Sequence, residues 1–408
     1  MTRPSDTIAL SRIADVNPKV HLNGLTPDTP VSFIPMADLC EGGGWRNRQV
    51  RPLKDVRFGY TPFAEGDLLF AKITPCMENG KGAHATSLVN RIGFGTTELH
   101  VLRVRGGHHA RFLYHWLQAS PVRTRAVAFM GGSAGQQRVQ ADFFDHFRVP
   151  VIGPSEQCRI AAILDLVEAA IETPLAAITK LKQVRAGLLH DLVTNEFEVS
   201  RTKPLRAMAA VRFSSVDKLS NYGERSVRLC NYTDVYNNTY ITADMPYMRA
   251  TATHAEIDRF GLRMGDVIIT KDSETPDDIG VPAVVDSTAP DMVCGYHLAL
   301  LRPDRDQLDP LFLAMQLKHP RLARYFGRQA NGTTRYGLSS RAIEQAPILH
   351  LSVPEQKRRS DVLREHDRVA VRVAVELQKL RSIKSGLMND LLSGRVLVPE
   401  SVVAGATA

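Results

Sequence analysis

The sequence lacks the motifs that mark the common classes of nucleotide- and metal-dependent enzymes. It has no GxxxxGK(S/T) phosphate loop, because Gly80-Lys81 has no upstream glycine at the required spacing, and no HExxH zinc motif. It has no glycine-rich strand-to-helix turn suited to a nucleotide cofactor, and Asn17-Pro18-Lys19 lacks the aromatic residue that a pocket for amino-group methylation would need. From the sequence we expect no catalytic residue, no bound metal and no bound cofactor in this chain.

Cysteines and long apolar runs are also scarce. The five cysteines are scattered and form no CxxC pair, which argues against a zinc site and favours a reducing cytoplasm. No apolar run approaches the roughly 20 residues that a membrane-spanning helix needs, and the N-terminal MTRPSDTIAL has no signal-peptide core. We expect a cytoplasmic globular protein. Its net charge of +8, carried largely by residues 1–152, is compatible with phosphate contacts but supports them only weakly.

The sequence does contain a repeat at a fixed offset of 199 residues. Matching pairs are Glu156-Gln157 with Glu355-Gln356, Leu164 with Leu363, Lys180-Leu181 with Lys379-Leu380, Gly187-Leu188 with Gly386-Leu387, Gly66-Asp67 with Gly265-Asp266, Lys72 with Lys271 and Arg103 with Arg302. Equal spacing of matching residues in two copies predicts two similar domains related by a pseudo-twofold axis. A two-copy molecule would suit a two-part target.

Two segments, about 153–196 and 352–395, are predicted to be helices. Gly153-Pro154 puts a cap and a first-turn proline at the start of the first segment. At the start of the second, Ser352 precedes Glu355 by three residues, the spacing of a capping box in which each side chain bonds the other residue's amide. Thr173-Pro174 predicts that the first segment is split into a short and a long helix.

Apolar residues recur in both segments at heptad-like spacing, which suits helices packed at a shallow angle. These residues, which we also take as candidates for docking partner proteins, are Leu164, Ile171, Ile178, Leu181, Leu188 and Leu192, and Leu363, Leu377, Leu380, Leu387 and Leu391. Arg185 and Lys384 interrupt the pattern at equivalent positions. They could fix the alignment of the helices, or their long side chains could simply reach out to solvent.

The blocks before and between the helical segments mix short strands and helices. Strands are predicted after each Gly-Asp turn, at Asp67–Phe70 and Asp266–Thr270, and again at His100–Val104 and His297–Leu301. Short helices are predicted at Phe112–Leu117 and Leu311–Leu317. Outside these positions the two blocks differ strongly, as expected if two domains read different targets.

Glycine-rich stretches at residues 42–48, 131–138 and 331–337 are the candidates for contact with DNA. Small residues let a backbone approach phosphate, and Gln and Arg can pair with base edges. The last two stretches could equally be turns that only end a helix. The candidate DNA-contacting residues are Arg46, Arg48, Lys72, Lys81, Gln136, Gln137, Arg138, Lys271, Thr334, Arg335 and Tyr336.

The order of these parts resembles that of a known family. Ser155-Glu156-Gln157-Cys158-Arg159 opens one helical segment and Val353-Pro354-Glu355-Gln356-Lys357-Arg358 the other, and Leu391-Leu392-Ser393-Gly394 closes the second. With Gly-Asp turns leading into strands between them, this pattern resembles the specificity subunit of type I restriction–modification systems over essentially the whole chain. Thr194-Asn195, in place of Ser393-Gly394, is a departure that could change the end of the first helix.

The resemblance implies an α+β fold with two similar mixed α/β target recognition domains. Two long helical regions, packed as an antiparallel coiled coil, would join them with pseudo-twofold symmetry. The expected parts are recognition domains at 1–152 and 200–351, helical spacers at 153–199 and 352–396, and a flexible tail at 397–408. A helix of about 22 residues would be roughly 33 Å long, close to one turn of B-DNA.

The resemblance also implies a DNA-binding subunit without catalytic activity, acting in DNA methylation and phage defence. Each domain would read one half of a split, asymmetric site in double-stranded DNA, and the helices would dock two methyltransferase subunits, with restriction and translocase subunits joining them. S-adenosylmethionine, ATP and Mg²⁺ would be bound by those partners. An alternative is a stand-alone DNA methyltransferase or nuclease with diverged motifs, which would bind S-adenosylmethionine or ATP by itself. A coiled-coil adaptor would leave the two duplicated, diverged domains unexplained.

Overall fold

The computed structural model describes residues 7–132, 135–194 and 201–399. Ser133 and Ala134 of one glycine-rich stretch, the end of the first spacer at 195–199 and the tail residues 400–408 lie outside the described residues. Within the described part of the chain, no helix is both long and apolar enough to cross a membrane.

The chain divides into two compact units. Unit 1 consists of Met1–Leu175 and Val375–Ala408, and unit 2 of Ala176–Ala374. Each unit therefore contains one half of each of the two longest helices.

The helices alternate with short strands. In the described residues the α-helices are α1 (Leu10–Ile13), α2 (Leu53–Val56), α3 (Ala110–Gln118), α4 (Ser120–Val127), α5 (Phe143–His146), α6 (Pro154–Thr194), α7 (Tyr232–Asn237), α8 (His254–Phe260), α9 (Pro310–Lys318), α10 (Pro320–Gln329), α11 (Ser340–Glu344) and α12 (Val353–Leu392).

The strands fall into two series, one in each unit. Unit 1 has β1 (Thr7–Ala9), β2 (Ala14–Val16), β3 (Pro30–Ile34), β4 (Gln49–Pro52), β5 (Thr61–Ala64), β6 (Leu68–Ala71), β7 (Gly82–His84), β8 (Ile92–Gly95), β9 (Leu99–Val104), β10 (Met130–Gly131), β11 (Arg138–Val139) and β12 (Arg148–Pro150). Unit 2 has β13 (Thr202–Pro204), β14 (Ala209–Phe213), β15 (Arg225–Cys230), β16 (Tyr240–Ile241), β17 (Met248–Ala252), β18 (Val267–Thr270), β19 (Asp272–Ser273), β20 (Pro282–Val285), β21 (Met292–Cys294), β22 (Leu298–Pro303), β23 (Tyr336–Gly337) and β24 (Pro347–Leu349).

The two units share one sheet plan. Unit 1 has a sheet of order β2-β9-β6-β7, and unit 2 has β14-β22-β18-β20-β16, in which the first four strands match it. The second sheet is β4-β3-β8-β5 in unit 1 and β17-β15-β21 in unit 2. Each second sheet contains one parallel pair, β3 with β8 and β15 with β21, beside antiparallel neighbours. The repeat seen in the sequence is thus a repeat of topology.

The predicted strands and short helices of the blocks are confirmed within a residue or two. The strands that follow the Gly-Asp turns are β6 and β18, their partners are β9 and β22, and the short helices are α3 and α9. The strands β6 and β18, and the neighbouring strand β20 of the same sheet as β18, are buried at every position and therefore on both faces. Such strands suit the centre of a covered sheet.

The predicted split of the first helical segment is wrong, because α6 runs unbroken from Pro154 to Thr194 with Pro174 inside it. A proline within a helix costs about 3 kcal/mol through the lost hydrogen bond and the ring clash. Here Pro174 is buried, and α6 is held by buried apolar residues on both sides of it, Leu164 in one unit and Val193 in the other. We infer that this packing offsets the cost.

In each unit the two half-helices run antiparallel. In unit 1, Ile160 and Leu164 of α6 share a core with Met388 and Leu392 of α12. In unit 2, Val193 of α6 shares a core with Leu363 of α12, and Arg359 Nη1 donates to the carbonyl oxygen of Leu192 at 2.8 Å. Later residues of one helix therefore meet earlier residues of the other, as the fold prediction required.

The repeated glutamine of the Glu-Gln pair has a structural role in both units. Gln157 Oε1 accepts from the amide of His109 at 2.8 Å, directly before α3, and Gln157 Nε2 donates to Ile152 O at 2.8 Å. Gln356 makes the same two bonds, with the amide of Asp309 before α9 and with Leu351 O, each at 2.8 Å. Both glutamines are buried. The motif thus ties each long helix to its block.

The expected capping box at the start of α12 is not formed between Ser352 and Glu355. Ser352 lies directly before the helix, and its carbonyl accepts from the amide of Gln356 at 3.0 Å. The Glu355 carboxylate instead binds Arg358 and Arg359. Those arginines lower the pKa of Glu355 to about 2.

Candidate nucleic-acid interface

Each unit has a loop region built on the same backbone frame. In unit 1 the amide of Lys72, directly after β6, donates to Glu98 O at 3.0 Å, and the amide of Val139 donates to Lys72 O at 2.9 Å. These bonds place the end of β6 between the start of β9 and the glycine-rich stretch after α4. Lys72 and Arg138, far apart in the sequence, therefore lie close together.

Unit 2 repeats the frame at the 199-residue offset. The amide of Lys271 donates to His297 O at 3.1 Å, and the amide of Leu338 donates to Lys271 O at 2.8 Å. The side chains on this frame differ, because Glu98 in unit 1 corresponds to His297 in unit 2.

An ion pair dominates the frame in unit 1. Arg138 binds the Glu98 carboxylate with two hydrogen bonds, Nε to Oε2 at 2.9 Å and Nη2 to Oε1 at 2.8 Å. These bonds lower the pKa of Glu98. Gln136 and Gln137 beside it are exposed. Arg138 is therefore held in place, while the glutamine side chains face solvent.

A second glycine loop, residues 40–48, adjoins the same region. Gly42, Gly43 and Gly44 all have positive φ, of 74°, 100° and 106°, a backbone path that only glycine follows without strain. Arg46 is exposed, and the Arg48 guanidinium lies 4.9 Å from the centre of the Trp45 ring and donates to Thr86 O at 2.6 Å.

Residues 72–82 connect the two glycine loops. On one side the Gly42 amide donates to Asn79 O, and the Gly44 amide to Gly82 O, each at 2.9 Å. On the other side the Thr74 amide donates to Gln137 O at 3.0 Å. We call residues 40–48, 72–82 and 135–138 the loop surface of unit 1. It contains all seven candidates of this unit: Arg46, Arg48, Lys72, Lys81, Gln136, Gln137 and Arg138.

Lys81 contributes to this surface partly as a structural residue. Its Nζ donates to Met36 O at 3.1 Å, and the side chain is half-buried. Glu65 and Asp67, two nearby carboxylates of the kind that nucleases use, are also structural. Glu65 accepts the amides of Ser87 and Leu88, and Asp67 binds Arg103.

In unit 2 the corresponding surface carries acidic, histidine and tyrosine side chains. Asp272 Oδ2 lies 2.7 Å from His297 Nδ1 and 3.3 Å from Lys271 Nζ. Tyr336 pairs with Ser273 between β23 and β19, which brings it to the same place. Thr334 and Arg335 are exposed on the loop before it.

Tyrosines of α7 flank this surface. Tyr232 and Tyr236 stack with ring centres 5.5 Å apart, and Tyr236 Oη donates to Asp278 Oδ2 at 2.5 Å. We call residues 271–280 and 331–337, with these two tyrosines, the loop surface of unit 2. Aromatic faces of this kind can stack on bases or sugars.

Several residues of these surfaces were not predicted from the sequence. Glu98, Asp272 and His297 belong to no recognised motif. The repeat offset, which gives His297 the position of Glu98, could have indicated those two, whereas Asp272 corresponds to Ile73 and had no such signal. Tyr232 and Tyr236 lie in a part of unit 2 where the offset matches no residue of unit 1.

The apolar residues at heptad-like spacing in α6 and α12 are wholly or partly buried. Leu164, Leu363, Leu377 and Leu391 are buried, and Ile171, Ile178, Leu181, Leu188, Leu192, Leu380 and Leu387 are half-buried. Those in the cores of the units stabilise the chain itself. Other apolar residues of these helices are more exposed, among them Leu166 and Val375 at 64% and 63%.

Arg185 and Lys384 do not reach out to solvent. Arg185 of α6 binds Asp367 of α12 at 2.7 Å in unit 2, and Lys384 of α12 binds Glu168 of α6 at 2.7 Å in unit 1. The 199-residue offset converts one pair into the other. This supports the interpretation in which the two cations fix the alignment of the helices.

One group of possible metal ligands occurs among the described residues, at His115, Asp165 and Glu168 in unit 1. Two cations already balance its carboxylates. Arg111 Nε lies 2.6 Å from Asp165 Oδ1, Arg111 Nη2 lies 2.5 Å from Glu168 Oε2, and Lys384 Nζ lies 2.7 Å from Glu168 Oε1. Burial raises the pKa of Asp165, but hydrogen bonds from His115 and Arg111 outweigh it and leave the pKa lowered. We interpret the group as an ion-pair network.

The fold is that of the S subunits of type I restriction–modification systems. One similar structure is the S subunit of a type I system from M. genitalium, with 14% identity and a TM-score of 0.59 over 95% of this chain and 96% of that one. Another is a chain from work on complex assembly and conformational transition of the type I R-M system, with 14% identity and a TM-score of 0.57 over 97% and 100% of the two chains. At this identity the likeness concerns the fold.

Two curated relatives are specificity subunits of type I restriction enzymes. The chain is 37% identical over 191 residues to the type I restriction enzyme EcoAI specificity subunit of Escherichia coli, and 33% identical over 193 residues to the EcoEI specificity subunit. Each match covers 45% of this chain and 32% of the relative, so the chain spans about a third of the length of the curated relatives it matches. No family model matches the chain. The comparisons lend no support to a stand-alone DNA-modifying enzyme.

Proposed function

We propose that this chain is the sequence-specific DNA-binding subunit of a type I restriction–modification complex. The loop surface of unit 1 would read one half of a split, asymmetric site, and the loop surface of unit 2 the other half. The observation that carries the proposal is the frame shared by both units, with identical backbone bonds at Lys72 and Lys271 but different side chains around them. Two domains that recognise different DNA sequences require this combination of a shared backbone frame and different side chains for contact with DNA.

The chain itself would be non-catalytic. Adenine methylation with S-adenosylmethionine, and ATP- and Mg²⁺-dependent cleavage, would belong to two methyltransferase subunits and to the restriction and translocase subunits. The exposed apolar residues of α6 and α12 are the surface we propose for docking the methyltransferase subunits. The recognition domains would be 1–152 and 200–351, with the helical regions 153–199 and 352–396 as spacers.

The chemistry of the two loop surfaces fits DNA in different ways. Exposed Arg46, Gln136 and Gln137 in unit 1 can bond phosphates and base edges. In unit 2, Arg335 supplies a cation, and the Tyr232–Tyr236 stack supplies an aromatic face. We therefore expect the two half-sites to differ in sequence.

The proposal is tested by exchanging one block and mapping methylation. Residues 1–152 are replaced by the equivalent block of a relative, and methylated adenines are mapped in cells that also express the methyltransferase partner. We expect one half of the methylated motif to change and the other to stay the same. Exchange of residues 200–351 is the matched control and should change the other half. A change in both halves, or in neither, would refute the modular reading.

A further inference from the structure

A buried arginine lies beneath the loop surface of unit 1. Arg123 of α4 is 5% exposed, and its guanidinium lies 4.1 Å from the centre of the Phe70 ring. It donates from Nε to Leu117 O at 2.7 Å, from Nη1 to Met77 O at 3.2 Å and from Nη2 to Gln118 Oε1 at 3.0 Å. Among the residues that the structure describes, no carboxylate pairs with it.

Placing a cation in the interior without a counter-charge is energetically costly. Burial lowers the pKa of Arg123 to about 9, which reflects that cost. The fold itself has no need of the charge. In this part of the repeat the offset is 200 residues, because α3 begins at Ala110 and α9 at Pro310. The residue of unit 2 that corresponds to Arg123 is therefore Ala323. Arg123 is therefore specific to unit 1.

Two of the three hydrogen-bond partners of Arg123 lie in the loop surface or directly beneath it. Met77 lies in residues 72–82, and the Gln118 amide lies beneath three glycines. A Cβ on Gly43 would fall 3.0 Å from Gln118 Nε2 and one on Gly82 3.1 Å from the same atom, while one on Gly80 would fall 3.2 Å from Gln118 Oε1. The loop backbone at these three glycines therefore lies directly against the Gln118 side chain.

Building on the proposed DNA-recognition function, we propose that Arg123 is a positioning residue for sequence recognition by unit 1. Through Met77 O and Gln118 it holds residues 72–82 and the glycine loop 40–48 in one arrangement. It does not contact DNA, since it is buried. Its effect on base choice is exerted through Arg46, Arg48 and the backbone that carries them.

The test compares Arg123→Met, Arg123→Lys and Arg125→Met in the complete methyltransferase complex. Arg125 lies on the same helix, is exposed and lies 5.7 Å from the Phe147 ring, away from the loop surface, which makes it the matched control. The measurement is the ratio of methylation at the cognate motif to methylation at single-base variants of each half-site. With Arg123→Met we expect that ratio to fall about tenfold or more in the half read by unit 1, and to stay unchanged in the other half. Arg123→Lys should give a smaller loss, and Arg125→Met none.

A purely structural role would lower methylation at all sites together and leave the ratios unchanged, and that result would overturn the proposal. If Arg123→Met does not fold, Gly43→Ala tests the same support from the loop side. Its new Cβ would collide with Tyr114 Oη, whereas a Cβ on Gly42, also at positive φ, meets nothing within 4 Å. Equal effects of Gly43→Ala and Gly42→Ala on the ratio would also overturn the proposal. If the wild-type complex methylates no split motif, the proposed function fails instead.

Discussion

Arg103→Met is expected to destabilise unit 1 by much more than Arg105→Met, although Arg103 lies on β9, Arg105 directly follows it, and both arginines bind an aspartate. Arg103 binds Asp67 with two bonds of 2.8 Å, and Asp67 has 1% of its side chain exposed. Removing the guanidinium leaves a buried carboxylate with the Ala64 amide as a remaining donor, at 2.7 Å. Loss of one partner of a buried pair costs 3–5 kcal/mol in general, and since 35% of the Arg103 side chain is exposed we expect about 3 kcal/mol.

Arg105 supplies the control. It binds Asp15 at 2.6 Å, but the two side chains are 49% and 48% exposed, so its loss should cost about 0–1 kcal/mol. The assay is chemical or calorimetric unfolding of the purified chain, with hydrogen exchange at the Ala64 amide to locate the effect. In unit 2, Arg302→Met should reproduce the larger loss, because Arg302 binds the buried Asp266 in the same way. Equal losses for the Arg103 and Arg105 variants would show that burial of the carboxylate does not decide the cost.

Two further predictions concern the long helices. Burial raises the pKa of Asp367, but the hydrogen bonds and charge of Arg185 outweigh it and leave that pKa lowered. The stability that this carboxylate contributes should therefore be present above about pH 4 and be lost as the pH falls through the lowered pKa. In unfolding experiments at several pH values, Asp367→Asn should remove this part of the acid dependence. An unaltered pH profile of stability would contradict the prediction. The second change inserts seven residues after Lys182 in α6 and another seven after Arg381 in α12. Both insertions fall between the two interhelical ion pairs, so the pairs are kept while the proposed spacer lengthens by roughly 10 Å, or about three base pairs. Methylation mapping should show unchanged half-sites with a longer gap, and insertion in α6 alone should impair assembly.

The local elements of the blocks could be predicted because their signals are local. A Gly-Asp turn followed by apolar residues marks β6 and β18, and the 199-residue repeat checks each assignment against a second copy. The break expected at Pro174 failed for the opposite reason. Whether a helix tolerates proline depends on packing along its whole length, which a local rule does not include.

The candidate interface could be predicted only in part. Composition pointed to the glycine stretches, but the hydrogen bonds that join residues 40–48, 72–82 and 135–138 connect backbone groups far apart in the sequence, and no side-chain pattern indicates them. The partners of Arg185 and Lys384 were likewise hidden until the antiparallel register was known. In that register Asp367 and Glu168 face them.

The division of the chain into units has a consequence for the order in which they can form during synthesis. Unit 2 is one continuous stretch, Ala176–Ala374, so all of its core residues are present once that stretch has left the ribosome. The core of unit 1 includes Met388, Leu391 and Leu392, packed with Leu164, so this unit cannot be completed until residue 392 has been translated. Domains usually form from the N-terminus onward. Here unit 2 can be complete while unit 1 still exposes an open apolar face, and a nascent chain stalled before residue 388 would carry a complete unit 2 and an incomplete unit 1.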